Sequence, residues 1–196
     1  MLKRFTPILA LTAVCWLVFA LNSLVWHGRL IQYGIMPRHL YSLWGILWAP
    51  FLHGSFQHLA ANTLPLLILG GMVCIRGRAE FAVVTIGGIL LGGFLTWLLA
   101  RNAYHIGASG LIFCYFGYLA SLAFFNRTLG TLCLSVVCIV GYGGMLRGIF
   151  PTLPGISWEG HLAGLLAGLS LASATSRLKP ATKSRPGSGA ASMPEQ

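Results

Sequence analysis

Six long apolar runs constrain this chain more than any other feature of its sequence. A helix needs about 20 mostly apolar residues to cross the hydrocarbon core of a bilayer. The runs comprise residues 5–26, 55–75, 81–100, 109–125, 128–145 and 158–174. They predict an all-α membrane protein, folded as a bundle of six transmembrane helices.

The charged residues agree with a membrane location. Only 8% of the chain is charged, whereas soluble domains contain about 25% charged residues. The formal net charge is +10, but the basic residues form no block or stripe, so nucleic-acid binding is not expected. All five cysteines lie within apolar runs and none forms a C-x-x-C pair. They are typical of small core residues, and the sequence predicts no disulfide frame, metal site or cofactor.

Lysine and arginine predict the topology. With six spans, nine of the thirteen basic residues lie on the side that holds both termini, and four lie on the other side. Basic residues concentrate on the cytoplasmic side of membrane proteins, so we expect both termini in the cytoplasm of a bacterial cell. The alternative for the first run is a cleaved signal peptide, since Lys3 and Arg4 precede it. Its length and the lack of an A-x-A site favour a span.

The two segments outside the runs differ in character. The loop from residue 27 to 54 carries amphipathic aromatic residues that favour the headgroup level, namely Tyr33, Tyr41, Trp44 and Trp48. We expect this first loop to lie partly in the outer leaflet and to pack against the bundle. Residues 177–196 are rich in Pro, Ser, Gly and Ala. They predict a disordered cytoplasmic tail after a membrane domain of residues 1–176.

A glycine-flanked serine opens the fourth run. Gly107 and Gly110 lack side chains, so another backbone or a substrate can approach Ser109 closely. The first N–H groups of a helix are free and suit an oxyanion. The alternative is that Ser109 is an ordinary helix cap.

A histidine lies in the last run, where ionisable groups are costly and usually functional. Around His161, Gly160, Gly164 and Gly168 repeat every four residues. The fourth run has a similar stripe of small residues, and such stripes let two helices approach closely. If the two stripes meet, Ser109 and His161 come within hydrogen-bonding distance. We expect Glu159 not to assist, because residues two apart on a helix do not face each other.

A second polar pair lies in the second run. His58 and Asn62 are four residues apart, so they share a helix face and can direct donors at one point. Interhelical hydrogen bonding is the alternative. The sequence contains no aspartate and no H-E-x-x-H. These absences exclude a two-aspartate protease and leave a zinc protease of that type without support.

Three motifs together resemble the signatures of rhomboid intramembrane serine proteases: G-A-S-G at 107–110, H-L-A-A-N at 58–62 and G-H-L-A-G-L-L-A-G at 160–168. The resemblance covers roughly residues 5–175. It implies that Ser109 is the nucleophile and His161 the general base, a dyad without a carboxylate. It also implies an oxyanion hole formed by His58, Asn62 and the Ser109 N–H.

The resemblance extends to supporting positions and to substrates. It implies that Phe113 stacks on the catalytic histidine and that His53 is a further histidine near the start of the second helix. Substrates would be single-span membrane proteins that enter from the lipid between the second and fifth helices. The family's frequent Trp-Arg pair is Trp44-Gly45 here.

Two other functions are alternatives to proteolysis. A non-proteolytic rhomboid-like protein that binds membrane segments is one, although such relatives usually lack the serine or the histidine. A small transporter is the other, but the chain has no visible inverted repeat. The sequence does not indicate an oligomeric state.

Overall fold

The fold is all-helical. The computed structural model describes residues 2–151 and 155–178. Six long helices run through it: α1 Thr6–Leu24, α2 Phe56–Arg76, α3 Arg78–Leu99, α4 Ser109–Phe125, α5 Leu129–Tyr142 and α6 Trp158–Leu178. Each coincides with a predicted run to within a few residues. Within the described part there is no strand, only an isolated bridge between Ile35 and His105.

The chain is an integral membrane protein. Four helical segments in the described ranges are long and apolar enough to span a bilayer: Thr6–Leu24, Phe56–Arg76, Arg78–Leu99 and Leu129–Ile149. The last consists of α5 and the 3-10 helix Gly143–Ile149 that follows it. Helix α4 is apolar but has only 17 residues, and α6 is less apolar. The predicted tail lies outside the described residues, except that residues 177 and 178 extend α6.

Helix α4 occupies the centre of the bundle. Ten of its 17 residues are buried, and it packs against α2, α3, α5 and α6. The buried Tyr115 hydroxyl lies 2.7 Å from Thr85 Oγ1, and the Tyr118 hydroxyl donates to Glu80. Buried tyrosine hydroxyls need such partners, and these two bonds tie α4 to α3.

Glycines bring α4 and α6 into backbone contact. A Cβ added at Gly164 would lie 2.0 Å from the Gly110 oxygen, and one at Gly168 would lie 2.1 Å from the Cys114 oxygen. From the other side, a Cβ at Gly117 would lie 2.5 Å from the Leu165 oxygen. No side chain fits in these positions, so the two helices lie as close as their backbones allow.

Helix α3 is irregular where it passes α4 and the first loop. Its middle, Gly88–Gly92, is a π-helix. A Cβ at Gly88 would lie 2.5 Å from Cys114 Sγ, and one at Gly93 would lie 2.7 Å from Ile46 Cγ2. This segment therefore lies directly against α4 and the first loop.

The first loop folds back on the bundle. Ile35 exchanges two backbone hydrogen bonds with His105, at 3.0 and 2.8 Å, and the Gly107 N–H donates to the Ala49 carbonyl at 2.8 Å. A Cβ at Gly45 would lie 2.4 Å from the Gly34 oxygen, so glycine at the Trp44-Gly45 position lets the loop close on itself. The loop is thus anchored to the segment that leads into α4.

Candidate active site

Ser109 and His161 lie side by side at one end of α4 and α6. Ser109 Oγ is 2.9 Å from His161 Nε2. Ser109 is the first residue of α4, after Ala108 at the N-cap position, where no side chain caps the helix. The structure therefore does not show Ser109 as a side-chain cap. Its hydroxyl is directed at the imidazole of a helix 52 residues further along the chain.

A backbone carbonyl holds the other side of the imidazole. His161 Nδ1 lies 2.9 Å from the Gly148 oxygen. Because a carbonyl only accepts hydrogen bonds, Nδ1 carries the proton and Nε2 presents its lone pair to Ser109. This is the tautomer that a general base needs, and a carboxylate holds it in the Ser-His-Asp arrangement.

The imidazole is also held between two surfaces. The ring of Phe113 stacks on it with a centroid separation of 4.3 Å and an interplanar angle of 10°. A Cβ at Gly148 would lie 3.1 Å from both His161 Nδ1 and Phe113 Cζ. The glycine lets the chain before α6 approach close enough for its carbonyl to reach Nδ1.

His58 and Asn62 lie against the loop that precedes Ser109. Gly107 has φ +108, and a Cβ there would lie 2.6 Å from His58 Nε2 and 3.5 Å from Asn62 Nδ2. Only glycine combines that backbone conformation with so close an approach. As a result, both polar side chains of α2 reach the start of α4.

His53 orients the Asn62 amide. His53 Nδ1 lies 3.3 Å from the Phe51 carbonyl, so Nδ1 carries the proton and Nε2 accepts. Nε2 receives the Asn62 Nδ2–H at 3.1 Å and the Ala108 N–H at 3.4 Å. Burial, helped by the neighbouring His58, lowers the pKa of His53 to about 4. The imidazole is therefore neutral at pH 7, which keeps Nε2 available as an acceptor.

His58, Asn62, Ser109 and His161 line one open cleft of about 560 Å³. Its polar side chains come from three parts of the chain that are distant in sequence: Ser55, His58, Asn62, Tyr104, Ser109, Ser157 and His161. Gly155 and Ile156 also line it. The segment that directly precedes α6 therefore contributes to the cleft, although residues 152–154 lie outside the described part.

Glu159 points away from this cleft to a different partner. Its carboxylate forms an ion pair with Arg101 at 3.0 Å. Arg101 also donates to the Ile156 carbonyl at 2.6 Å. The carboxylate thus joins the loop before α4 to the start of α6, and the position that a third triad member would hold is taken by the Gly148 carbonyl.

Sequence reasoning missed three residues of the site. Gly148 acts through its backbone, and no residue type marks a carbonyl, although a glycine in an apolar segment was a weak signal. His105 and Ser157 contact each other at 2.6 Å but are 52 positions apart. Among the described residues, no group of three or more His, Cys, Asp or Glu side chains could hold a metal ion.

Comparison with known proteins gives one family. The sequence model of the Rhomboid domain matches residues 41–178, a range that includes every residue of the cleft named above. An uncharacterised protein of Mycobacterium tuberculosis is 39% identical over 173 residues, which cover 84% of this chain and 72% of that protein. A Bacillus subtilis protein, named as a candidate rhomboid protease, is 29% identical over 173 residues and 85% of each chain.

Proposed function

The chain belongs to the rhomboid family, and on that premise we propose that it is an intramembrane serine endopeptidase. Its substrates would be single-span membrane proteins, cleaved within or beside their spans. The observation that carries the proposal is the 2.9 Å contact between Ser109 Oγ and His161 Nε2. That contact is backed by the carbonyl of Gly148 on Nδ1.

The chemistry follows from these two contacts. As Ser109 Oγ attacks the scissile carbonyl carbon, its proton passes to His161 Nε2. The tetrahedral intermediate collapses when the C–N bond breaks and the imidazolium returns the proton to the leaving amine. A water molecule then attacks the acyl-enzyme, His161 takes the water's proton, and release of the acid returns that proton to Ser109.

The oxyanion would be stabilised by donors around the start of α4. They are the second N–H of the Asn62 amide, the His58 ring and the free N–H groups of the first helical turn. His53 supports this role. Its Nε2 accepts one N–H of the Asn62 amide and so fixes the position of the Nδ2 atom that carries the second N–H. Each such donor is worth about 2.7–4 kcal/mol of transition-state stabilisation in a soluble serine protease.

Helix lengths support a site below the membrane surface. Helix α4 has 17 residues, which at 1.5 Å per residue is about 25 Å, less than the roughly 30 Å hydrocarbon thickness. If Phe125 reaches the opposite boundary, Ser109 lies several ångströms inside the outer one. The open cleft of about 560 Å³ is then the route by which water reaches Ser109.

The same reasoning extends to topology. We infer six spans, since α4 and α6 are in backbone contact and run through the bundle with the four apolar helices. The basic residues favour both termini in the cytoplasm of a bacterial cell, with the cleft open to the outside. Substrates would enter from the lipid between α2 and α5.

The test is cleavage of a single-span model substrate by the full-length protein in liposomes. We expect the wild type to give two fragments, and Ser109→Ala and His161→Ala to give none while remaining folded. Nucleophile and base act as a unit, so the double variant should be no worse than either single variant. A folded Ser109→Ala variant that still cleaves would refute the proposal. A wild type that binds the substrate without cleaving it would favour the non-proteolytic alternative.

A further inference from the structure

A second contact between a serine and a histidine lies beside the first. His105 Nδ1 is 2.6 Å from Ser157 Oγ, and His105 Nε2 is 3.0 Å from the Arg101 carbonyl. The carbonyl only accepts, so Nε2 carries the proton, and the Ser157 hydroxyl donates to Nδ1. His105 is only 4% exposed. Burial lowers the pKa of its imidazole, which keeps the ring neutral at pH 7.

This hydrogen bond joins the two segments that carry Ser109 and His161. His105 precedes Ser109 by four residues and is fixed by its two backbone bonds to Ile35. Ser157 directly precedes α6, and its carbonyl accepts the His161 N–H at 3.1 Å. Any movement of Ser157 therefore moves the turn of α6 from which the His161 side chain extends.

Packing alone does not hold Ser157 in this place. Ser157 and Ser109 both line the open cleft, and both also line a second, smaller pocket of about 50 Å³. Open space on these two sides means that the Ser157 side chain is not enclosed by packed neighbours. Gly160 provides room for the hydroxyl, since a Cβ at that position would lie 2.6 Å from Ser157 Oγ.

We propose that His105 is a positioning residue that, through Ser157, fixes the first turn of α6 so that His161 Nε2 stays within hydrogen-bonding distance of Ser109. The inference rests on the proposed function. The ion pair of Arg101 with Glu159 joins the same two segments, but the Arg101 side chain is 45% exposed. The Glu159 side chain is 10% exposed, but the guanidinium is open to solvent, which weakens an ion pair, so Glu159 provides a matched control.

The first experiment compares Ser157→Val with Ser157→Thr, which have the same shape and differ in the hydroxyl. We expect Ser157→Val and His105→Phe each to lower kcat by ~10–100-fold with KM within about twofold, because misplacement by 1 Å can cost ~10²-fold. Ser157→Thr should keep kcat within about threefold of wild type. The kcat of the double variant Ser157→Val with His105→Phe should be no lower than that of the less active single variant, since both substitutions remove the same hydrogen bond. Glu159→Gln should stay within about tenfold of wild type.

Two outcomes would overturn the proposal. A rise in KM with kcat unchanged in Ser157→Val would mean that the hydroxyl contacts substrate. An equal loss of kcat in Glu159→Gln and Ser157→Val would mean that the bond to His105 contributes no more than the ion pair and does not itself set the position of His161. Thermal midpoints of all variants identify losses caused by unfolding, and the Thr and Val pair still isolates the hydroxyl if His105→Phe does not fold.

A second readout does not depend on proteolysis. In the full-length protein with ¹⁵N-labelled histidine, Ser157→Val should shift the imidazole signals of both His105 and His161, and Ser157→Thr should leave those of His161 unchanged. An unshifted His161 signal in Ser157→Val would refute the positioning role even if the wild type cleaves nothing. Absence of cleavage by the wild type, with the expected shifts, would refute only the proposed function.

Discussion

At the scale of single residues, backbone carbonyls decide what the buried histidines can do. Three imidazoles around the cleft each have one nitrogen next to a carbonyl oxygen, and that nitrogen must carry the proton. The opposite nitrogen is then an acceptor: in His161 for Ser109, in His53 for Asn62 and in His105 for Ser157. The three carbonyls belong to Gly148, Phe51 and Arg101. In a chain without aspartate, main-chain oxygens take the orienting role that carboxylates have elsewhere.

The Gly148 carbonyl provides the first prediction. Gly148→Ala should lower kcat by ~10-fold or more, because its Cβ would lie 3.1 Å from His161 Nδ1 and push the imidazole or its carbonyl partner away. Gly144→Ala is the matched control in the same 3-10 helix, since a Cβ there meets nothing within 4 Å. Cleavage rates of both variants measure the difference. Equal rates for the two would show that the carbonyl does not orient the base.

His53 provides a prediction about pH. Its folded-state pKa is about 4, against about 6.5 for an unperturbed histidine. Between these values the unfolded chain binds a proton that the folded chain does not, so stability falls as the pH drops from about 6.5 towards 4. The contribution of His53 is at most ~1.4 kcal/mol per pH unit.

The corresponding variant is His53→Gln, which removes the titration and keeps an acceptor for Asn62. Its thermal midpoint should fall less between pH 7 and pH 4.5 than that of the wild type. His27→Gln, at an exposed position, is the control and should fall as the wild type does. Parallel curves for His53→Gln and the wild type would contradict the shifted pKa.

Part of the site was predictable because its chemistry needs particular side chains in short motifs. Ser109, His58 and His161 lie in three such motifs, and the structure brings all three to one cleft. The contact of His105 with Ser157 was not predictable, because each residue alone is ordinary and their proximity depends on how α6 starts. Sequence patterns indicate the spacing of residues along one helix better than they indicate contacts between distant loops.

At the scale of elements, the contact between α4 and α6 sets the distance between Ser109 and His161, the proposed nucleophile and base. Gly164→Ala should separate the helices, because its Cβ would lie 2.0 Å from the Gly110 oxygen. Overpacking of this kind costs ~1–3 kcal/mol, so we expect a lower thermal midpoint together with at least ~10-fold lower kcat.

Gly141→Ala is the control for Gly164→Ala. It also adds a methyl group to a helix, but a Cβ at Gly141 meets nothing within 4 Å. It should leave activity unchanged and stability equal or slightly higher, because alanine favours a helix over glycine. Full activity in Gly164→Ala would show that the backbone contact does not set the catalytic distance.

The sequence predicted the helices well and their irregularities poorly. A long apolar run locates a membrane helix, and all six runs coincide with long helices. The π-helix Gly88–Gly92 has no such signal. It forms where glycines allow α3 to approach Cys114 and the first loop, and such an approach depends on partners that a single run does not reveal.

At the scale of the whole molecule, the basic residues predict one orientation in the membrane. Reporter fusions at Arg78, where α3 begins, should report the cytoplasm, and fusions at Arg101, between α3 and α4, should report the outside. Fusions that truncate the chain test this without requiring activity. An external signal at Arg78 would invert the orientation and move the cleft to the cytoplasmic side.

The whole account depends on which serine reacts. Two serines that line the cleft each contact a histidine, Ser109 with His161 and Ser157 with His105. Only Ser109 lies at the start of α4, where free N–H groups and the Asn62 amide can stabilise an oxyanion. A phosphonate that reacts with activated serines therefore distinguishes the two pairs.

The measurement is peptide mapping by mass spectrometry after phosphonate treatment of the full-length protein in detergent. We predict one adduct per chain, on Ser109, that is lost in His161→Ala and retained at a lower rate in Asn62→Ala. An adduct on Ser157, or one on Ser109 that forms equally fast without His161, would contradict the account.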